Sequence, residues 1–229
     1  MLYTILHYAH IIAGVISLAV FWLPIAVKKG SRKHNRLGRV YVNAMYVASA
    51  TGAAMSLSAI SVWVMADNEQ TGAFQPMWAL LLYLSLLTFT TVRHAVLVLK
   101  AKQTRLTLKA LPHLGLTVSL LGFGIVIGIY GYVLNHILLM IFGVLGAFLG
   151  GNFLHYSFKQ TLTPREWIFE HLSSILGSGI ACHTAFFAFG GRTLFASSSQ
   201  LQLLSWILPG IVGTVLIVYF KRRYLVKFS

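Results

Sequence analysis

Histidine is the residue type that most suggests chemistry in this chain. Nine histidines accompany only four acidic residues, and eight of the nine lie in or at the ends of apolar segments. Imidazole nitrogens bind haem iron, zinc and copper, and an ionisable side chain within a membrane segment is a functional hypothesis by default. We therefore consider seven histidines as cofactor ligands: His7, His10, His94, His113, His155, His171 and His183.

Apolar segments that cross a membrane in alternating directions sort the histidines into two layers. The outer layer contains His7, His10, His136 and His183. The inner layer contains His94, His113, His155 and His171. Two such layers are typical of a membrane b-type cytochrome, so haem b is the first expected cofactor. Zinc or copper is the alternative, with His94, His113 and His171 as ligands. Interhelical hydrogen bonding with no cofactor at all is the structural interpretation of the same pattern.

Glu170 and Arg93 are two further ionisable residues that fall inside apolar segments. Glu170 lies one helical turn beyond Glu166 and shares its face. Arg93 lies at a comparable depth near the end of the third apolar segment. We therefore predict that Glu170 and Arg93 pair, either as a structural ion pair or as a functional, catalytic pair.

Composition identifies the environment that must hold these residues. The chain has 229 residues, of which 57% are hydrophobic and 10% charged. Soluble domains have about 25% charged residues, so this composition predicts a polytopic membrane protein. The net charge of +14 would suit nucleic acid in a soluble protein, but here the basic residues lie between apolar segments. Anionic headgroups of a cytoplasmic lipid surface explain them, so we expect the bilayer as partner and no nucleic acid.

The apolar segments predict an all-α fold, a single domain over residues 1–229 with seven transmembrane helices. About 20 apolar residues span a bilayer, and the segments lie at about residues 3–27, 40–66, 77–99, 111–131, 135–156, 167–189 and 201–220. Lysine and arginine cluster in alternate connections, which the positive-inside rule assigns to the cytoplasm. The N-terminus is then expected outside and the C-terminus in the cytoplasm.

The densest basic cluster, residues 28–39, is predicted to be the cytoplasmic loop between the first two helices. It contains His34, Arg36 and Arg39. Arginine pairs well with phosphate and carboxylate groups, so these three residues are candidates for binding an anion. Anchoring to lipid headgroups is the simpler interpretation of the same residues. We expect Gly38 to permit a tight turn into the second helix.

Three blocks of residues resemble a known family. They are His10, Gly14, Lys28–Gly30 and His34–Tyr41; Trp167, Glu170, His171, Gly177, Ile180, Ala181 and Thr184–Phe186; and Trp206, Pro209 and Gly213. The pattern is similar to that of the bacterial integral membrane proteins grouped as domain of unknown function 2306. The resemblance implies a small multi-pass protein of a bacterial inner (plasma) membrane, but it implies no reaction.

Three functional hypotheses follow from these residues. The first is a membrane redox protein that binds haem or metal through intramembrane histidines, and its partners would be a redox protein or a second copy of the chain. The second is a proton-coupled or small-molecule transporter centred on Glu170, Arg93 and the histidines. The third is a non-catalytic membrane interaction protein. Whether the protein is an enzyme stays open at this point.

Overall fold

The computed structural model describes residues 1–66, 74–161, 164–191 and 198–225. Seven helices in these ranges are long and apolar enough to cross a membrane, as the composition predicts, so the chain is an all-helical, multi-pass bundle. The helices are α1 (Leu2–Ala26), α2 (Arg32–Met65), α3 (Pro76–Lys100), α4 (Leu111–Val133), α5 (Ile137–Phe158), α6 (Glu166–Ala185) and α7 (Ser199–Leu225). A π-helical turn, Phe186–Gly190, continues α6.

The prediction that residues 28–39 form a loop is wrong, because residues 32–39 belong to α2. The backbone N–H of His34 donates to the Ser31 side chain at 3.2 Å, so Ser31 is the N-cap and α2 begins at Arg32. Gly38 therefore lies within α2 rather than in a turn. The sharp turn is at Gly30, whose φ of 74° favours glycine.

Two side chains from the short connection and from α2 secure the end of α1. The Lys29 ammonium group donates to the carbonyl groups of Pro24 and Ile25 at 2.9 and 2.7 Å. The His34 ring bonds to the same Pro24 carbonyl at 3.0 Å. Burial, with Arg223 nearby, lowers the pKa of Lys29. These contacts satisfy carbonyl groups that a helix end leaves without an intrahelical partner.

The third helix, α3, is the central element of the bundle. It packs against α2, α4, α5 and α6, and half of its most apolar stretch is buried, more than in any other described span. Small residues let α4 and α5 approach closely. A side chain added at Gly150, for example, would meet the backbone N of Leu121 at 2.8 Å. Such close backbone contact is typical of helix pairs in membranes.

At one end of the bundle, α2, α4 and α6 begin and α1, α3, α5 and α7 finish. We call this the basic end. The contact of Lys221 on α7 with the Phe169 ring on α6 shows that these helix ends meet there. The described lysines and arginines all lie in this half of the bundle: Lys28, Lys29, Arg32, Lys33, Arg36, Arg39, Arg93, Lys100, Lys102, Arg105, Lys109, Lys159, Arg165, Lys221, Arg222 and Arg223. Arg192 and Lys227 lie outside the described residues. The placement of this end in the cytoplasm stays a prediction.

Candidate functional site

His94 lies at the centre of the most connected polar group in the described part of the bundle. Its Nε2 atom is 3.0 Å from Oε1 of Glu170 on α6, and its Nδ1 atom is 3.1 Å from Nε2 of His113 on α4. The His94 and His113 side chains are fully buried, and the Glu170 side chain is 17% exposed. Three helices thus contribute one ionisable group each to a continuous chain of hydrogen bonds.

The acceptor capacity of the carboxylate fixes the direction of these bonds. An ionised carboxylate only accepts, so Nε2–H of His94 donates to Glu170. In neutral His94 the Nδ1 atom is then the acceptor, and Nε2–H of His113 donates to it. The Nδ1 atom of His113 is left at the end of the chain. It is buried and has no hydrogen-bond partner among the described residues.

Aromatic side chains of α5 hold the His94 ring in place. The Phe153 ring is stacked on it with 4.0 Å between ring centroids. The Tyr156 ring meets it in an edge-to-face arrangement with 5.8 Å between ring centroids. The Arg105 guanidinium covers the other side of Tyr156, 4.0 Å from the ring centroid. Arg105 also donates to the carbonyl of Ala101 at 2.9 Å. The connection between α3 and α4 therefore closes the site at the basic end.

Two buried hydroxyl groups lie one turn further into the bundle. Thr90 precedes His94 by one turn on α3, and Ser174 follows Glu170 by one turn on α6. Because α3 and α6 run antiparallel here, both hydroxyls lie at the same level. Neither has a hydrogen-bond partner among the described residues. Several other buried hydroxyls instead donate to a carbonyl of their own helix, among them those of Ser17, Ser49, Thr91, Thr117 and Ser157.

The predicted pairing of Glu170 with Arg93 is wrong. Glu170 bonds to His94, the next residue along α3, and Arg93 forms no ion pair with any described acid. Its Nε atom is buried and has no hydrogen-bond partner among the described residues. Consecutive helical residues point about 100° apart, so only one of these two side chains can face α6.

The predicted inner layer of histidines is only partly brought together. His94 and His113 are in direct contact. His171 lies beside them on α6, but its Nδ1 atom bonds to the Ala95 carbonyl at 2.8 Å. His155 is on the exposed face of α5. Across residues 1–66, 74–161, 164–191 and 198–225, no group of three or more His, Cys, Asp or Glu side chains is arranged to hold a metal ion.

The outer histidines have separate surroundings. His7 is exposed on α1, next to Tyr3 and Tyr8. The Nδ1 atom of His10 bonds to the Ala48 carbonyl at 2.9 Å and to the Thr51 hydroxyl at 3.2 Å.

The ring of His183 packs against Phe21 and Trp22, and its Nδ1 atom bonds to the Gly179 carbonyl at 2.8 Å. In the part of the chain that is described, no hydrogen bond or ring contact joins His7, His10 and His183 to one another.

The three residues predicted to bind anions are divided between structural and surface positions. His34 is half-buried and caps α1. Arg36 and Arg39 are exposed on the first turns of α2, at the basic end. Their charges are therefore available to a lipid surface or to a soluble anion, which keeps both predicted roles open for the two arginines.

Sequence reasoning did not find the residues that shape the site. Phe153 and Tyr156 look like ordinary membrane-helix aromatics, and Thr90 and Ser174 look like ordinary small helix residues. Arg105 looks like an ordinary basic residue between the third and fourth apolar segments. Their importance depends on which helix face meets His94.

Comparison with known proteins found no match to a protein-family model, to a curated protein or to a solved structure. The resemblance to domain of unknown function 2306 therefore stays a prediction.

Proposed function

We propose that the protein carries protons through Glu170, His94 and His113 and couples this movement to the transport of a small solute. The observation that supports this function best is the unbroken chain of two hydrogen bonds, 3.0 and 3.1 Å long, between these side chains. Carboxylates and imidazoles are the usual proton carriers within membrane transporters. Both bonds are made by His94, whose side chain is fully buried.

A proton that arrives at the free Nδ1 atom of His113 makes this ring an imidazolium. His113 then passes its Nε2 proton to Nδ1 of His94, and His94 passes its own Nε2 proton to the Glu170 carboxylate. One proton has moved from the α4 side to the α6 side, and both rings are neutral again. Because both rings have changed from the Nε2–H to the Nδ1–H tautomer, each cycle must end with reorientation of the two rings, after the proton has left Glu170.

The groups around Glu170 allow a proton to move beyond the three relay residues. Glu170 is partly exposed, so it can exchange protons with solvent or with a bound solute. On its inner side, the hydroxyls of Thr90 and Ser174 are free to bond to a water molecule or to a polar group of a solute. Each of these features supports a route that continues from Glu170 into the bundle rather than a closed structural pair.

Proton flux into liposomes tests the proposal. The purified protein is reconstituted around a pH-sensitive dye, and the initial rate of proton entry is measured after an imposed pH step. We expect Glu170→Gln and His94→Gln to lower the protein-dependent rate by at least about tenfold, because each removes one carrier. His155→Gln is the matched control, since His155 is an exposed histidine on α5. Unchanged flux in both relay variants, with normal folding, would refute the relay.

A haem- or metal-binding redox function is the second candidate, and the orientation of His171 supports it. Metal-binding histidines usually donate one ring N–H to a carbonyl or carboxylate, which leaves the other nitrogen for the metal. His171 has this arrangement through the Ala95 carbonyl, and His34 has it through the Pro24 carbonyl. His94 is a poorer ligand than predicted, because both of its ring nitrogens are already bonded, one to His113 and one to Glu170. His113 uses only Nε2, and its Nδ1 atom has no partner among the described residues.

An absorption spectrum and elemental analysis of the detergent-purified protein separate the two candidates. Haem b would give a Soret band, and zinc or copper would be found in stoichiometric amounts. We expect His171→Gln to abolish either signal if the redox function is correct, whereas His155→Gln should retain it. A protein without haem or metal that still conducts protons would leave transport as the function.

We further propose that the protein resides in a bacterial inner membrane with its basic end in the cytoplasm. The concentration of described lysines and arginines at this end supports that orientation, because such residues are retained on the cytoplasmic side and attract anionic headgroups. A purely non-catalytic interaction role is less well supported. Such a role would not explain why ionisable groups on three helices are bonded in sequence.

A further inference from the structure

Arg93 is a cation without a protein anion among the described residues. The whole chain has four acidic residues. Glu170 pairs with His94, and Glu166 pairs with Lys159. The other two, Asp67 and Glu69, lie outside the described residues, between α2 and α3 in the sequence.

The depth of Arg93 in the bundle makes the lack of a protein anion beside it energetically unfavourable. Arg93 is seven residues before the last residue of α3, Lys100, which places it about 10 Å from that helix end. Its side chain is half-buried, and its Nε atom is completely buried without a hydrogen-bond partner. An unpaired guanidinium at this depth is unfavourable, and ionisable residues at such positions usually bind a ligand or a partner.

Two contacts locate Arg93 in the groove between α2 and α3. The Tyr46 and Phe89 rings meet with 5.1 Å between centroids, and the Ser85 side chain lies against Gly52. Because the two helices are antiparallel, these contacts set their register. Arg93, one turn beyond Phe89, is therefore level with the turn of α2 that precedes Tyr46.

The groove offers hydrogen-bond donors and positive charge to an anion. The Tyr46 ring packs against Phe89, which precedes Arg93 by one turn on α3, so Tyr46 lies beside the same part of the groove. The Tyr46 hydroxyl has no hydrogen-bond partner among the residues that the structure describes. Arg39 lies two turns before Tyr46 on α2 and is exposed. A residue seven positions away lies close to the same helix face, so Arg39 adds positive charge at the mouth of the groove.

We propose that Arg93 and Tyr46 form a binding site for a carboxylate or phosphate group in the groove between α2 and α3. The guanidinium presents paired N–H donors that match the two oxygens of such a group, and the phenol adds a third donor. The group belongs either to an anionic lipid, whose headgroup enters the groove, or to a soluble anion. The residues of this site are not those of the relay, because Arg93 forms no ion pair with Glu170.

Binding to delipidated protein in neutral detergent tests the site without any measurement of proton flux. One arm titrates phosphatidylglycerol, with phosphatidylcholine as the zwitterionic comparison, and counts bound lipids by native mass spectrometry. The other arm titrates orthophosphate and, separately, acetate by calorimetry. Each arm uses the wild type, Arg93→Gln, Arg93→Lys and the control Arg222→Gln, which removes an equal charge from an exposed position on α7.

We expect Arg93→Gln to weaken binding of the preferred anion at least about tenfold, because it removes the charge-assisted bonds. Arg93→Lys should retain part of the affinity, and Arg222→Gln should retain nearly all of it. Phosphatidylglycerol binding alone would identify a lipid headgroup, and orthophosphate or acetate binding would identify a soluble anion. No anion binding in either arm, or equal losses in Arg93→Gln and Arg222→Gln, would overturn the proposal.

A thermal-shift measurement distinguishes a loss of anion binding from a folding defect. Without ligand, Arg93→Gln should unfold at the same or a higher temperature than the wild type, because an unpaired charge has been removed. The wild type should be stabilised by the anion, and the variant should not. A variant that unfolds at a lower temperature without ligand, yet is stabilised by the anion as much as the wild type, would contradict the assignment.

Discussion

The energetic coupling between His94 and Glu170 is the sharpest test of the site, because the chain offers a second hydrogen-bonded pair, Lys159 and Glu166, for comparison. Distance and burial rank the two pairs in opposite order. Lys159 and Glu166 are closer, at 2.7 Å, but their side chains are 29% and 23% exposed. His94 and Glu170 are 3.0 Å apart, and their side chains are 0% and 17% exposed. If burial outweighs distance, the longer contact is the stronger one.

The expected magnitudes follow from burial. A hydrogen bond to a charged group contributes about 1.5–3 kcal/mol, and loss of one partner also leaves the other desolvated without a partner. We therefore expect Glu170→Met and His94→Leu each to lower the free energy of unfolding by about 3 kcal/mol. The double variant should lose about 2 kcal/mol less than the sum of the two, which is the coupling energy. Screening by solvent limits the coupling of the exposed pair to about 1 kcal/mol or less.

The assay is reversible unfolding of the detergent-solubilised protein by sodium dodecyl sulfate, followed by tryptophan fluorescence and far-ultraviolet circular dichroism. Each pair needs the wild type, two single variants and the double variant, with Glu166→Met and Lys159→Met for the comparison pair. Equal coupling energies in the two cycles would refute the reasoning, because burial would then have no advantage over distance. A coupling below about 0.5 kcal/mol for His94 and Glu170 would do the same, since values that small are expected of independent sites.

Two more predictions concern packing and orientation. Gly150→Ala should lower the free energy of unfolding by about 1–3 kcal/mol, because its new methyl group would meet the backbone of α4 at 2.8 Å. Gly151→Ala, with nothing within 4 Å, should raise it by about 0.5–1 kcal/mol, and the same unfolding titration measures both. In a Cys182→Ser background, Lys109→Cys should react with an impermeant maleimide only from the cytoplasm and Gln75→Cys only from outside. The reverse labelling of intact cells would invalidate the positive-inside assignment.

The fold was largely predictable because a bilayer imposes a simple rule on sequence. A spanning helix needs about 20 apolar residues, so seven runs of that length predict seven helices. The break between the fourth and fifth runs was also visible, and the structure has Asn135 there with a φ of 52° between α4 and α5. The start of α2 was missed because basic residues looked like a loop. Ser31 caps a helix that extends about two turns beyond the apolar run.

The sequence alone determined the ionisable residues of interest and their approximate depth, because depth follows from position along a spanning helix. His94, His113 and Glu170 were all identified in this way. Only the tertiary structure decided which side chains meet, since this depends on how each helix is rotated about its axis. That rotation places His94 against Glu170, leaves Arg93 facing the α2 groove and exposes His155, because residues at one depth can point in any direction around a helix.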